Sequence, residues 1–185
     1  MEVRDRLAKA QDTTRHVVQA VTDTDWDRET ANEGWTVRFT LSHLLGAHYM
    51  MAAAASGTEM STGNAGDFVG GDAVASYDLA TAAARGGFAK PRVMDGEMPM
   101  PWGATPAQVC AGLLAMDTLV HGWDIARAIG APMTVDDGLA ADTLDFSVMV
   151  LSSPEARQRD FKDPVAIVDD SPTMDRLVAF LGRQP

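Results

Sequence analysis

The stretch "MDTLVHGWD", residues 116–124, sets a carboxylate and an imidazole four residues apart, Asp117 and His121, and adds a second carboxylate, Asp124, one turn further on. In a helix, side chains at i and i+4 project from successive turns and can meet at one point. These three fall beside Cys110, Leu113, Leu114, Ile125 and Ala128, on the side that reads as the apolar face. A carboxylate buried there without a partner costs several kcal/mol, so it must be protonated, hydrogen-bonded, paired with a cation or bound to a metal. An intrahelical Asp–His hydrogen bond satisfies that demand, and so does a divalent cation shared by the pair. Spacing alone leaves both open. Burial favours the cation, because an isolated acid and imidazole on an inner face gain most from a metal that joins them. On this reading the metal-free protein carries a buried charge that Asp117→Asn would relieve.

A metal centre needs a third ligand, and the remaining histidines are His16, His43 and His48. His16 stands among polar residues and reads as solvated. His43 and His48 share one helix but point 140° apart, so a single ion would not take both. Periodicity does not choose between them, although His48 lies nearer the leucine face. Asp124 can accept the other ring N–H of His121 and fix its tautomer, or bond Trp35 or a backbone group instead. Cys110 precedes Asp117 by two turns, about 10 Å along the axis, and reads as a packed core thiol. Trp35, Trp102 and Trp123 are candidates to line a cavity mouth or to pack at the bundle edge.

Those side chains need a scaffold. The chain has 185 residues, which fits one domain spanning 1–185 with a real core. A net charge of −11 and the lack of a basic arm argue against nucleic acid and anionic membranes as partners. One cysteine excludes an internal disulfide framework, and the charged N-terminus "MEVRDRLAKAQDTTRH" has no signal-peptide core, so a cytoplasmic location is expected. Residues 39–58 lack Asp, Glu, Lys and Arg over nearly bilayer length, but the histidines and the alanine run mark a buried helix.

Apolar spacing predicts helices over 2–22, from Thr36 to about Ala55, over 73–87, from the "TPAQ" start to Ile129, over 136–151 and over 174–181. The second should be buried on two sides, through Val37, Leu41, Leu44 and Leu45 and through Phe39, His43 and Met50. In "TPAQ", Thr105 is the expected N-cap, Pro106 the first helical residue and Gln108 the partner of a capping box; Gly130 and Pro132 should end that helix. Residues 56–71 read as loop. No strand pattern competes, so the architecture expected is an all-α, up-and-down four-helix bundle with short additional helices.

"GWTVRFTLSHL" (34–44), "AMDTLVHGWDIARAIG" (115–130) and "VDDSPTMDRLVAFLGRQP" (168–185) resemble the DinB-like superfamily of metal-binding bundles, in its actinobacterial branch of mycothiol-dependent maleylpyruvate isomerases and their relatives. The resemblance implies a DinB-like fold and a divalent metal held by His43, Asp117 and His121, and it is the resemblance that selects His43 over His48. Phe39 stands where relatives often carry an acid, Asp117 is shorter than the isomerase's glutamate, and the isomerase's C-terminal extension is lacking here. Three protein ligands leave coordination positions open for water or substrate, the arrangement of a catalytic site. The implied activity is a thiol-dependent isomerisation or transfer on a small-molecule substrate, with mycothiol as the implied thiol. Zinc leads among the metals, and nickel, iron and manganese suit the same donors. The alternative is a non-catalytic metal-binding or interaction module with a structural metal. A homodimer is compatible with either.

Overall fold

The computed structural model of the protein describes residues 1–58, 66–153, 156–157, 161–168 and 170–185. It forms two compact units, one of Glu2–Met133 and one of Thr134–Pro185 together with Met1. The first holds α1 (Val3–Ala20), α2 (Val37–Ala54), α3 (Ala73–Phe88) and α4 (Ala107–Ile129), with a small hairpin of β1 (Glu97–Met100) and β2 (Gly103–Pro106). The second holds α5 (Asp137–Val150) and α6 (Thr173–Phe180), which pack on each other.

The four long helices make the expected all-α, DinB-like four-helix bundle, in an up-down-down-up order rather than a plain up-and-down one. α1 and α2 each lie beside α3 and α4, so the α1–α2 and α3–α4 connections cross the bundle diagonally. Arg15 pairs with Asp78 and Arg85 with Asp12, which sets α1 and α3 in opposite directions. Tyr77, early in α3, packs on His48, while Gly87, near its end, lies against Ala52 and Ala55, so α2 and α3 run in the same direction. The long connections make this order reachable. Val17, Val18, Val37, Leu41, Leu44, Leu45, Tyr77 and Ile125 form the core at one end.

Local chemistry explains several helix ends. The Thr36 side chain accepts from the Phe39 N–H and starts α2; Asp72 does the same for α3 with Ala75 and Asp136 for α5 with Leu139. Gly130, at φ 71°, closes α4 in the left-handed conformation that glycine tolerates. The expected "TPAQ" box does not form. Thr105 belongs to β2, where it pairs with Met98, and its hydroxyl donates to the Gly103 carbonyl; α4 begins one residue later than expected, without a side-chain cap. Strand pairing has outcompeted capping for the same threonine. The hairpin itself was absent from the periodicity because each strand has only four residues.

Helix α4 lies at the centre, with 16 of its 23 residues buried. It approaches α1 so closely that a Cβ on Gly122 would lie 2.3 Å from Thr14 Oγ1, and Thr14 donates across the gap to the Thr118 carbonyl at 2.9 Å. Helix α2 differs from its expectation: only the leucine side is buried, whereas Phe39 is 37% exposed and His43 is half-buried. That less covered side faces the chemistry.

Candidate metal centre

His43 from α2 meets Asp117 and His121 from α4 so that one ligand atom of each lies within 4.8 Å of the others. His121 Nε2 is 3.2 Å from Asp117 Oδ1, and His43 Nε2 is 3.6 Å from Asp117 Oδ2. Donors about 2.1 Å from a tetrahedral cation stand ~3.4 Å apart, close to both separations from the Asp117 carboxylate. The two imidazoles cross at 80° with ring centres 5.2 Å apart. Both histidines present Nε2 to the carboxylate.

The centre is graded from inside to outside. Asp124 is fully buried, the His121 side chain is 7% exposed, and the Asp117 and His43 side chains are 28% and 30% exposed. His121 Nδ1–H donates to Asp124 Oδ2 at 2.9 Å, which leaves Nε2 for the cluster. Asn32 Nδ2 approaches the same carboxylate oxygen at 3.4 Å. Burial by itself would lower the His121 pKa, but Asp117 above all, and Asp124, outweigh it and raise the imidazolium to about 9. Burial likewise opposes ionisation of Asp117, yet His121, and His43 after it, hold its carboxyl well below the usual range. In the metal-free protein Asp117 is therefore a partnered anion on the open side of the site. The expectation that Asp117→Asn would relieve an orphan charge is corrected accordingly.

The loop before α2 covers the inner imidazole. Thr30 N–H donates to the Trp35 carbonyl at 2.8 Å and Trp35 N–H to the Asn32 carbonyl at 3.0 Å, a tight turn that stacks the Trp35 ring on His121 at 5.4 Å and sets it 4.8 Å from His43. Phe39 meets the edge of Trp35. Beyond His43, a cleft of about 30 Å³ lies between Phe39, Ser42, Gly66 and Phe68, room for about one water. A larger cleft, about 250 Å³, lies between α1 and α3 and shares no residue with the cluster; the Arg15–Asp78 and Arg85–Asp12 pairs line it.

Several residues singled out from sequence lie elsewhere. His48 is wholly buried: its Nδ1–H donates to the Leu44 carbonyl at 2.8 Å, Thr118 Oγ1 lies 3.5 Å from Nε2, and burial pushes its pKa down to about 4. It is a core histidine. His16 is exposed on α1. Cys110 is buried, and burial raises its thiol to about 11, far from a reactive thiolate. Trp123 packs under Arg127, and Trp102 sits at the hairpin turn, bonded to Thr105. Of the three tryptophans only Trp35 reaches the cluster. Asn32 was missed, because nothing in "TANEG" signals a partner 92 residues away.

Fold and site together define a helical bundle of the DinB-like type with a His–Asp–His cluster between its second and fourth helices. Residues 7–126 match the family model "Mycothiol maleylpyruvate isomerase N-terminal domain", and the chain belongs to that family. It is 33% identical over 152 residues, 80% of each chain, to the uncharacterized proteins Rv0738 and MT0763 from two strains of Mycobacterium tuberculosis. The crystal structure of the mycothiol-dependent maleylpyruvate isomerase superposes with a TM-score of 0.60 at 14% identity, covering 86% of this chain and 72% of that one. A histidine-to-alanine variant of the same enzyme gives 0.56 over the same shares. At that identity the likeness establishes the fold. Among the described residues, no helix is long and apolar enough to cross a membrane.

Proposed function

We propose that the protein is a metal-dependent enzyme that acts with a small thiol of the mycothiol type in an isomerisation or transfer reaction on a small-molecule substrate in the cytoplasm. The observation that carries this reading is the convergence of His43, Asp117 and His121, donor atoms within 4.8 Å, on a side of the bundle where two of the three remain partly exposed. Family membership supports a thiol of this type. A bound divalent cation, zinc first and nickel, iron or manganese by the same donors, would supply Lewis acidity to a thiol, a water or a carbonyl. The chain's own residues do the rest. His43 and Asp117 form the outer rim, where an incoming group meets the centre. His121, backed by Asp124 and covered by Trp35, forms the floor. Trp35 and Phe39 keep water from the inner imidazole and give an entering molecule an aromatic wall.

Elemental analysis of the purified protein and its variants tests the ligand set. His43→Ala, Asp117→Ala and His121→Ala should each lose most bound metal; His48→Ala and His16→Ala should keep it. Equal metal in all five would sink the assignment, and loss in His48→Ala alone would move the site into the core. A following screen of thiols against electrophilic and cis-unsaturated acids separates catalysis from a structural metal: a loaded protein that accelerates nothing and shows no open coordination position supports the non-catalytic alternative.

A further inference from the structure

Asp124 is a carboxylate with no access to solvent, and it lies directly against the His121 imidazole. It takes the Nδ1–H of His121 at 2.9 Å and is met from the loop by Asn32 at 3.4 Å, while the Trp35 ring of that same loop stacks on His121 at 22°. Turning an imidazole by half a turn about Cβ–Cγ exchanges each ring nitrogen with a ring carbon, and only one of the two orientations aims Nε2 at Asp117 and His43. Burying a carboxylate is expensive unless charge-assisted bonds repay it, so a wholly buried acid beside this ring marks an orientation that the fold holds at a cost.

We propose that Asp124 is the positioning residue of the centre: supported by Asn32, it locks His121 with Nδ1–H inward and Nε2 toward Asp117 and His43. The inference rests on the metal reading above, since an aimed Nε2 matters only to a group bound there. Asp124 touches neither substrate nor ion; it acts through His121. Asn32 and Trp35 make the 30–35 turn part of the same device, one holding the carboxylate and the other the face of the ring.

The test is the zinc affinity of the full chain, by competition with a chromophoric chelator, for wild type, Asp124→Asn and Asn32→Ala. Asp124→Asn keeps the shape but can turn an N–H toward Nδ1, and should weaken zinc about 10- to 100-fold. Asn32→Ala, one contact further out, should weaken it by a smaller factor that still exceeds twofold. Long-range proton–nitrogen spectra of zinc-loaded, nitrogen-15 histidine-labelled protein should show a protonated, slowly exchanging Nδ1 on His121 in wild type and its loss or faster exchange in Asp124→Asn. A merely structural carboxylate would instead lower the melting temperature of the chelator-treated protein and leave zinc affinity within twofold, and that result overturns the proposal. If Asp124→Asn does not fold, Asn32→Ala decides, and an unchanged affinity there overturns it too. A wild type that binds none of zinc, cobalt, nickel or manganese sinks the metal reading and this inference together, whereas a wild type that binds with an equally tight Asp124→Asn sinks the inference alone.

Discussion

Four thermal melts, of wild type and Asp117→Asn each with chelator and with zinc, separate a metal centre from an acid–imidazole pair that needs no metal. A ligand that binds only the native state stabilises it by RT ln(1 + [L]/Kd), about 2.7 kcal/mol at a hundredfold excess over Kd. For a unit the size of Glu2–Met133, a melting entropy of about 2.1 cal/mol/K per residue turns that into a rise of about 10 °C. The rise requires His43 on α2 and the pair on α4 to share the ion, tying the two helices together. In the chelator arm, Asp117→Asn should melt below wild type. Its carboxylate pairs with two imidazoles whose Nε2 atoms lie at 3.2 and 3.6 Å, and it is 28% exposed, so its loss should cost about 1–2 kcal/mol, or ~5 °C. Zinc should then move the variant by a degree or less. A wild type whose melting ignores both chelator and zinc would refute the reasoning. So would an Asp117→Asn protein that gains the full 10 °C.

The same pair sets a pH dependence. His121 has its folded pKa raised, so its contribution to the metal-free protein is fully present below about pH 6.5 and is lost as pH rises through about 9. Asp117 is lowered, so its contribution is present above about pH 3.9 and is lost as pH falls through its folded value. The stability difference between wild type and His121→Gln, from urea unfolding with chelator, should therefore shrink from pH 7 to 10. A difference flat across that range would contradict the pairing. Because zinc must displace a proton from His121, its affinity should climb with pH, approaching tenfold per unit until about pH 9. Gly122→Ala should cost about 1–3 kcal/mol, since its Cβ would fall 2.3 Å from Thr14 Oγ1, and Thr14→Ala in the same chain should recover part of the loss. A neutral Gly122→Ala in chemical denaturation would mean that α1 and α4 sit further apart.

What was legible in the sequence follows the range of the interactions concerned. The pairing of Asp117 with His121 and the bond from His121 to Asp124 act within one helix, so their spacing carries them. Thr36, Asp136 and Gly130 act on the nearest turn and could be placed within a residue or so. Thr105 shows where local logic fails: a threonine ahead of a helix suits a cap, but Met98 competes for it from the neighbouring strand. The choice between His43 and His48 is longer in range still. Apolar periodicity ranks His48 as the inner residue, and so it is, wholly buried and bonded to Leu44. Being inner is what removes it from a site that must stay reachable, a distinction that needs the position of α4 rather than the period of α2. Asn32 depends on a turn folded over another helix, and no local pattern encodes that.

The position of α4 also explains why it carries polar groups on a side shared with leucines. A helix buried nearly all round has no polar face to which they could be assigned, so each must find its own partner. Thr118 gives its hydroxyl to the Leu114 carbonyl at 2.6 Å, and its own carbonyl is met by Thr14. His121 spends one nitrogen on Asp124 and turns the other outward. Asp117 alone sits where the covering helices part, with two imidazoles for company and about a quarter of its side chain open. The two carboxylates thus have opposite tasks. Asp124, sealed in, can hold one ring in one orientation but cannot exchange its partners; Asp117, at the rim, can trade an imidazolium proton for an incoming cation. On the proposed reading, His121 would lack a fixed direction without the inner acid, and without the outer one the aimed ring would face no exchangeable group.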